Sequence, residues 1–219
     1  MHDAITSSGF LAAVDDDWRI VGDGACACFR TASFDASAQL VTAIAAVVTD
    51  LPPAVDVRPA GVTVRLLTRD HDLAGLTRAH VDLARRISAV ARAQGVDADP
   101  SALESILVIV GAADTAAVMP FWEAILGYER RADTPDEDLV DPRDRGPGFW
   151  FETMDEPRAD GGGAIHVAVW VPPEEAEARV AAGLAAGGSL VRDADAPSGW
   201  VLADAAGNEA DVATILGRG

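Results

Sequence analysis

The sequence predicts an α+β protein built from two small units, and three observations indicate this class. Apolar residues make up 49% of the 219 residues, enough to bury one large core or two modest ones. Segments of strand-like alternation are interleaved with segments of helical periodicity. The pattern then restarts after the polar stretch at residues 94–100, which contains glycine and proline. We therefore predict domains at residues 1–97 and 101–219.

The first segment predicts the order helix, strand, strand, helix, strand, strand, helix. Ser33 is an expected N-cap, and Pro52 and Pro53 are expected to end the helix that follows it. After a short amphipathic start, the expected elements are strands at Trp18–Val21 and Ala25–Thr31, a helix at Phe34–Val48, strands at Val55–Arg58 and Val62–Leu67, and a helix at Thr77–Ala93.

The second segment contains two halves of the same design, related by a shift of about 60 positions. In the first half, the strand Ile106–Gly111 leads into a helix opened by Asp114. In the second half, the strand Ile165–Val171 leads into a helix opened by Pro172-Pro173. Glycines follow both helices, where a left-handed cap residue is expected, and three short strands complete each half. The pattern predicts paired β-α-β-β-β modules.

The charge of the chain restricts its partners. The formal net charge is −18 and lysine does not occur, so nucleic acid and anionic lipid surfaces would repel the protein. A membrane span needs roughly 20 apolar residues in succession, and we find no such run. Residues 1–10 also lack the pattern of a signal peptide. We expect a soluble, cytoplasmic protein that binds neither nucleic acid nor membranes.

Three segments of the first unit resemble the pterin carbinolamine dehydratases: Val62–Leu66, His71–Thr77 and Val81–Ile87. The resemblance covers about residues 5–95. It implies an antiparallel sheet with helices on one face. It also implies dehydration of a 4a-hydroxytetrahydropterin, in which imidazoles deliver and remove protons.

The first unit departs from the motif of that family. The paired histidines of the family fall on Leu51 and Pro52, the later histidine is retained as His71, and the helical aspartate position holds His80. We take His71 and His80 as candidate catalytic residues of a hydro-lyase. Alternatively, they are ordinary solvent-facing histidines, and the unit binds a flat heterocycle without turnover. A third alternative is that it mainly mediates assembly of a dimer or tetramer, as its family members commonly do.

The second unit resembles the glyoxalase-like branch of the vicinal oxygen chelate superfamily. The motifs are Phe121–Tyr128 on the first helix and Asp204–Asp211 at the end, and the resemblance covers nearly all of residues 101–216. It implies two modules that curl a sheet around a cavity, with metal ligands on the first and last strand of each module. Some members chelate vicinal oxygens of a substrate on a divalent ion. Others have lost the metal and bind drugs or metabolites.

The resemblance carries the ligand positions to His166, Asp211 and Glu152, whereas the remaining position holds Ile106, which cannot coordinate. One imidazole and two carboxylates suit a divalent ion such as manganese, iron, nickel or zinc. Alternatively, His166 lines a metal-free cavity and the two carboxylates are solvated.

Further candidate residues concern a small ligand. Trp150 alternates with Phe149 and Phe151, so one face of that strand can form an aromatic wall. Arg143 and Arg145 can grip an anionic substrate at the rim, or can belong to a solvated loop. The sequence therefore leaves two functions open for the whole chain: a lyase acting on a pterin-like or oxygen-rich metabolite, or a catalytically silent binding protein.

Overall fold

The computed structural model describes residues 3–69, 74–154, 165–203 and 209–217. The chain divides into two compact units, the first extending to Leu103 and the second beginning at Glu104. The predicted α+β class is confirmed, since helices and sheets occur in both units. Among the described residues, none of the helices has both the length and the apolar character needed to cross a membrane.

The first unit contains three helices, seven strands and one 3-10 turn within its described residues. In chain order they are β1 (Ala4–Ile5), α1 (Ser7–Leu11), β2 (Arg19–Val21), β3 (Gly24–Arg30), α2 (Phe34–Val47), β4 (Ala54–Arg58), β5 (Gly61–Leu66), β6 (Thr68–Arg69), β7 (Ala74–Thr77), α3 (Arg78–Ala93) and the turn Pro100–Ala102. The helix α2 begins as predicted, because the Ser33 side chain accepts a hydrogen bond from the backbone N–H of Ala36.

The main sheet of the first unit is antiparallel, with strand order β2-β3-β5-β4. Its core face includes Ala27 and Phe29 on β3, which pair with Val64 and Val62 on β5, and all four are fully buried. The helix α2 packs against β4, β5 and α3. This arrangement forms a core of apolar side chains between sheet and helices.

Two features of the first unit differ from the predicted order of elements. The short strands β1, β6 and β7 form a second sheet of three strands, which the sequence did not indicate. The polar stretch after α3, at which the sequence pattern restarts, forms backbone hydrogen bonds with β3. The N–H of Arg30 donates to the Asp97 carbonyl at 2.9 Å, and the N–H of Asp99 donates to the Cys28 carbonyl at 2.7 Å.

The second unit contains two helices and eight strands within its described residues. They are β8 (Ser105–Ala112), α4 (Thr115–Leu126), β9 (Glu129–Arg130), β10 (Asp138–Val140), β11 (Gly148–Thr153), β12 (Ile165–Trp170), α5 (Pro173–Ala185), β13 (Ser189–Arg192), β14 (Gly199–Ala203) and β15 (Glu209–Ala213). The helix α4 is capped by the predicted Asp114, and Gly127 ends it at a φ of 63°.

The topology of the second unit confirms the predicted duplication. The sheet order is β13-β14-β15-β12-β8-β11-β10-β9. In each module, the strands counted outward from the centre of the sheet are therefore the first, fourth, third and second in chain order. In both modules the first strand pairs with the last in parallel, and the two first strands, β8 and β12, pair with each other antiparallel. The two modules are therefore related by an approximate two-fold axis between β8 and β12.

Each module buries one face of its half-sheet in an apolar cluster of its own. The cluster of the first module contains Val110, Met119, Leu139, Phe149 and Phe151. The cluster of the second module contains Val171, Ala176, Leu202 and Val212. Because successive side chains of a strand point to opposite faces, the remaining strand positions face the other side of the sheet.

Candidate functional site

The side of the second unit's sheet that faces away from these clusters forms a cavity of about 530 Å³. Its lining comes from both modules, chiefly from β8, β11, β12, β14 and β15. The volume lies within the range of about 300–1,000 Å³ that small-molecule sites occupy. The candidate site is therefore one cavity shared by the two modules.

Strand alternation explains which side chains of β11 reach the cavity. Trp150 and Glu152 line it, whereas Phe149 and Phe151 lie buried in the opposite apolar cluster. Trp150 is half-buried, in contrast to the fully buried Trp18 of the first unit. The structure thus places the predicted aromatic residue Trp150 and the predicted carboxylate Glu152 on the same strand face. Their roles in binding stay predictions.

The second module contributes lining residues from β12 and β15. Ala168 and Trp170 lie two positions apart on β12, and Asp211 on β15 pairs directly with Ala168. Trp200 also reaches the lining, but it packs against the apolar cluster that α5 covers. Trp150 and Trp170 are therefore the tryptophans whose strand positions point toward the cavity.

The first strand of module one faces the cavity in a different register from the one that the sequence suggested. Leu107, Ile109 and Gly111 of β8 line the cavity. Ile106 lies outside the lining and is 43% exposed, so assigning it to the ligand position was wrong by one residue. The chemical consequence is the same, because none of the lining residues of β8 carries a side chain that can coordinate a metal.

His166 lies on β12, and its backbone is paired with Ile109 of β8. Its side chain lies outside the described part of the structure, as do residues 204–208 of the predicted terminal motif. Among the described residues, no group of three or more His, Cys, Asp or Glu side chains is arranged to hold a metal ion. The predicted set of Glu152, His166 and Asp211 includes a side chain beyond that description, so it stays a prediction.

The predicted substrate-gripping residues Arg143 and Arg145 lie in a loop organised by Asp141. The buried carboxylate of Asp141 accepts hydrogen bonds from the Arg143 Nε at 2.8 Å and from the backbone N–H groups of Arg143, Arg145 and Gly146 at 2.9, 3.1 and 2.9 Å. These bonds, above all the one from the Arg143 guanidinium, hold the pKa of Asp141 well below its usual range. Neither arginine lines the cavity.

A different arginine lies at the cavity. Arg192 of β13 lines it together with Asp195, and the Arg192 Nη2 lies 3.3 Å from the Asp195 Oδ2. Neither of these residues was predicted from the sequence, and Trp170 was not predicted as a lining residue. Trp170 could have been found from its alternation with Ala168 along a strand, whereas Arg192 lies on an edge strand without such a signal.

The two candidate catalytic histidines belong to the first unit. His71 lies outside the described residues. His80 is buried in the first turn of α3, with 2% of its surface exposed, so the alternative that it is a solvent-facing histidine is wrong. The N–H of Thr77 donates to its Nδ1 at 3.0 Å, and burial lowers the pKa of His80 below the ordinary value of histidine. The imidazole thus accepts a helix-capping hydrogen bond in its neutral form.

Comparisons with known proteins concern mainly the second unit. Residues 107–213 match the family model of a glyoxalase-like domain. Residues 107–213 are thus similar to glyoxalase-like domains, which agrees with the resemblance predicted from the sequence for this region. The match begins after the first unit, so the resemblance of that unit to pterin carbinolamine dehydratases stays a prediction.

Two solved structures are similar over about half of the chain. A glyoxalase/bleomycin resistance protein/dioxygenase superfamily member from Vibrio splendidus 12B01 is 16% identical, with 51% of this chain and 99% of that chain covered and a TM-score of 0.33. An NAD-dependent benzaldehyde dehydrogenase from Legionella pneumophila is 11% identical, with 50% and 97% covered and a TM-score of 0.36. No curated protein matches the chain significantly.

Proposed function

We propose that this protein binds a small organic molecule in the cavity of its second unit. The observation that carries the proposal is the combination, in one cavity of about 530 Å³, of apolar strand residues, three tryptophans and carboxylates from both modules. Small-molecule sites combine apolar and aromatic walls with convergent polar groups that fix the orientation of the ligand. The glyoxalase-like domain at residues 107–213 supports a small molecule as the ligand.

Ligand-observed NMR against a mixture of planar heterocycles, including pterins, and oxygen-rich metabolites tests this proposal. Ala168 forms part of the cavity lining and is 4% exposed, so Ala168→Phe should fill the cavity and abolish the signals. The matched control is Val167→Phe, because Val167 lies next to it on β12, is 37% exposed and is not part of the lining. Signals that are equal in both variants would contradict the assignment of the site.

The second candidate function is metal-dependent chemistry on that molecule. It is favoured by the placement of Glu152 and Asp211, which line the cavity from the last strand of each module. Glu152, His166 and Asp211 would hold a manganese, iron, nickel or zinc ion. A bound divalent ion would act as a Lewis acid toward substrate oxygens.

Elemental analysis of the purified protein, after reconstitution with each ion, tests the metal candidate. We expect about one ion per chain, because the three ligands form a single site, and we expect the His166→Ala variant to lose that ion. The control is His80→Gln, which alters a histidine of the other unit. If the unsubstituted protein holds no more ion than the His166→Ala variant does, the metal-dependent function is contradicted and only metal-independent binding is left.

For the first unit we propose a hydro-lyase reaction as the candidate activity, with His71 and His80 as acid and base. Loss of the 4a-hydroxypterin absorbance measures this activity. Equal rates with and without protein would contradict it.

We also propose that the two units are independent domains, that the protein is cytoplasmic, and that the first unit mediates a dimer or tetramer. Sedimentation measures the assembly, and a monomer would contradict it.

A further inference from the structure

The second module's half of the cavity contains a slot for one part of the ligand. The slot is formed by a row of three residues across the sheet and by one ion pair: Trp170, Ala213 and Gly199, with Arg192 and Asp195. We propose that it binds a planar aromatic ring that carries a neutral carbonyl oxygen, with the ring beside Trp170 and the oxygen at the guanidinium of Arg192. This inference rests on the proposed function, since it names the ligand class of the same cavity.

Strand pairing places the three residues of the row side by side. Ala213 of β15 pairs with Trp170 of β12 on one side and with Gly199 of β14 on the other. All three line the cavity. Because neighbouring strands lie about 4.8 Å apart, the backbones of Trp170 and Gly199 are about 10 Å apart, and only the methyl group of Ala213 lies between them. The row therefore leaves a flat space of ring size beside an indole.

Gly199 keeps the outer part of the slot open. A Cβ added at this position would meet its nearest described heavy atom beyond the chain neighbours, the Val212 carbonyl oxygen, only at 3.9 Å. Gly199 is also not one of the described glycines with a positive φ. Neither a close approach nor the backbone conformation therefore requires a glycine here. What the glycine supplies is space above the strand.

A β-bulge directs Arg192 to the slot. The strands β13 and β14 shift register between Leu190 and Arg192, so Val191 is an extra residue of the edge strand. Regular alternation would put Val191 and Arg192 on opposite faces of the sheet, yet both line the cavity. Bulges re-aim side chains in this way and are frequent next to functional sites.

Asp195 determines the position and the charge of the guanidinium. The N–H of Gly199 donates to the Asp195 carbonyl at 3.1 Å, which places Asp195 at the outer end of the row. The Arg192 Nη2 lies 3.3 Å from the Asp195 Oδ2. Because this carboxylate already compensates the positive charge, the ligand does not need to supply a second anion. A guanidinium has more N–H donors than one carboxylate accepts, so donors remain for a neutral carbonyl oxygen.

The indole of Trp170 favours an aromatic ring as the occupant. Trp170 is half-buried and lines the cavity. Two aromatic rings in contact gain an interaction of their π systems beyond the burial of apolar surface. A saturated ring of the same size gains the burial alone.

NMR titration with three neutral fragments of similar size tests the inference in buffer containing EDTA. Benzamide has a planar ring and a carbonyl, aniline has the ring without the carbonyl, and cyclohexanecarboxamide has the carbonyl without the planar ring. We expect benzamide to bind about ten-fold more tightly than aniline, the value of a hydrogen bond to a charged group. It should bind about three-fold more tightly than cyclohexanecarboxamide, the value of an aromatic pair. Equal affinities, or tighter binding of the anion benzoate than of benzamide, would overturn the inference.

A substitution that fills the slot tests its position. Gly199→Val should abolish benzamide binding, because the added side chain meets no described backbone atom closely and occupies the slot instead. The matched control is Ala203→Val, since Ala203 lies on the same strand and the same face but outside the cavity lining. If benzamide binds equally to both variants, the inference fails.

A second substitution tests the guanidinium. Arg192→Met should weaken benzamide binding about ten-fold and leave the affinity for aniline unchanged. The control is Arg179→Met, because Arg179 is an arginine of α5 that lies 3.4 Å from Glu104, outside the cavity lining. A preference for benzamide over aniline that survives in Arg192→Met contradicts the inference. Absence of benzamide binding also overturns it, while hits in the NMR screen that Ala168→Phe removes would still support the proposed function.

Discussion

The buried His80 gives a prediction in which a structural role and a catalytic role have different outcomes. Its Nδ1 accepts the hydrogen bond of the Thr77 N–H at 3.0 Å, and the two residues are 2% and 5% exposed. His80→Ala leaves that N–H buried without its acceptor, which costs about 1–3 kcal/mol. A unit of this size loses about 4–8 °C in Tm for each kcal/mol.

The substitution His80→Gln is the matched control. Glutamine at this third helical position is a standard capping-box residue, whose side-chain oxygen can accept the N–H of Thr77. We expect His80→Gln to retain most of the unfolding free energy that His80→Ala loses. Hydrogen exchange of the amides of α3, followed by mass spectrometry, reports on this unit separately from the other one. If both variants lose equal stability, the hydrogen bond from the Thr77 N–H does not account for the contribution of His80 to the free energy of unfolding.

The pH dependence of the wild type has a definite sign. Burial lowers the pKa of His80 in the folded state, so the unfolded chain binds the proton more readily. The contribution of His80 to stability is complete above the unfolded pKa of about 6.5 and is lost as the pH falls through the folded value. His80→Gln should lack this loss. Identical profiles of stability against pH in the two proteins would refute the reasoning.

Three further predictions concern positions outside the cavity. Ser88→Ala removes the acceptor, at 3.0 Å, of the indole N–H of the buried Trp18, and should lower the unfolding free energy by about 1–3 kcal/mol in urea titrations. Gly61→Ala would place a Cβ 2.9 Å from the Phe29 carbonyl oxygen, so we expect a loss of about 1–3 kcal/mol; unchanged stability would show that the strands separate freely. Asp141→Asn should speed amide exchange at residues 143–146 without changing the ligand signals of the NMR screen; altered signals would place that loop at the site.

The regular elements could be predicted because local signals determine them. The helix predicted at Phe34–Val48 is observed at Phe34–Val47, and Ser33 and Asp114 cap their helices as expected. The strands β1 and β6 escaped prediction because each has two residues, too few for an alternating pattern. The strand β1 pairs with residues of β7 that are distant in sequence. The strand β6 pairs with the nearby β7, but neither partner shows a periodic pattern.

The site was harder to predict than the fold, for a reason that follows from strand geometry. Shifting a strand by one residue exchanges its two faces, so an error of one position moves Ile106 from the expected cavity to the opposite face of the sheet, where it is 43% exposed. Arg143 was misleading for a different reason. Its guanidinium bonds to Asp141 two residues earlier, and the sequence does not show that this carboxylate is buried.

The relation between the two modules argues for a single ligand rather than one ligand per module. Glu152 and Asp211 lie on β11 and β15, which are equivalent strands, each parallel to the first strand of its own module. These strands lie on either side of the central pair of β8 and β12, so the carboxylates approach the same cavity from opposite sides of the approximate two-fold axis. The first module supplies Glu152 and Trp150, and the second module supplies Asp211 and Trp170. A ligand that uses both sets must span the axis, and calorimetry should therefore give a stoichiometry of about one per chain, whereas two equivalent sites would mean that each module binds alone.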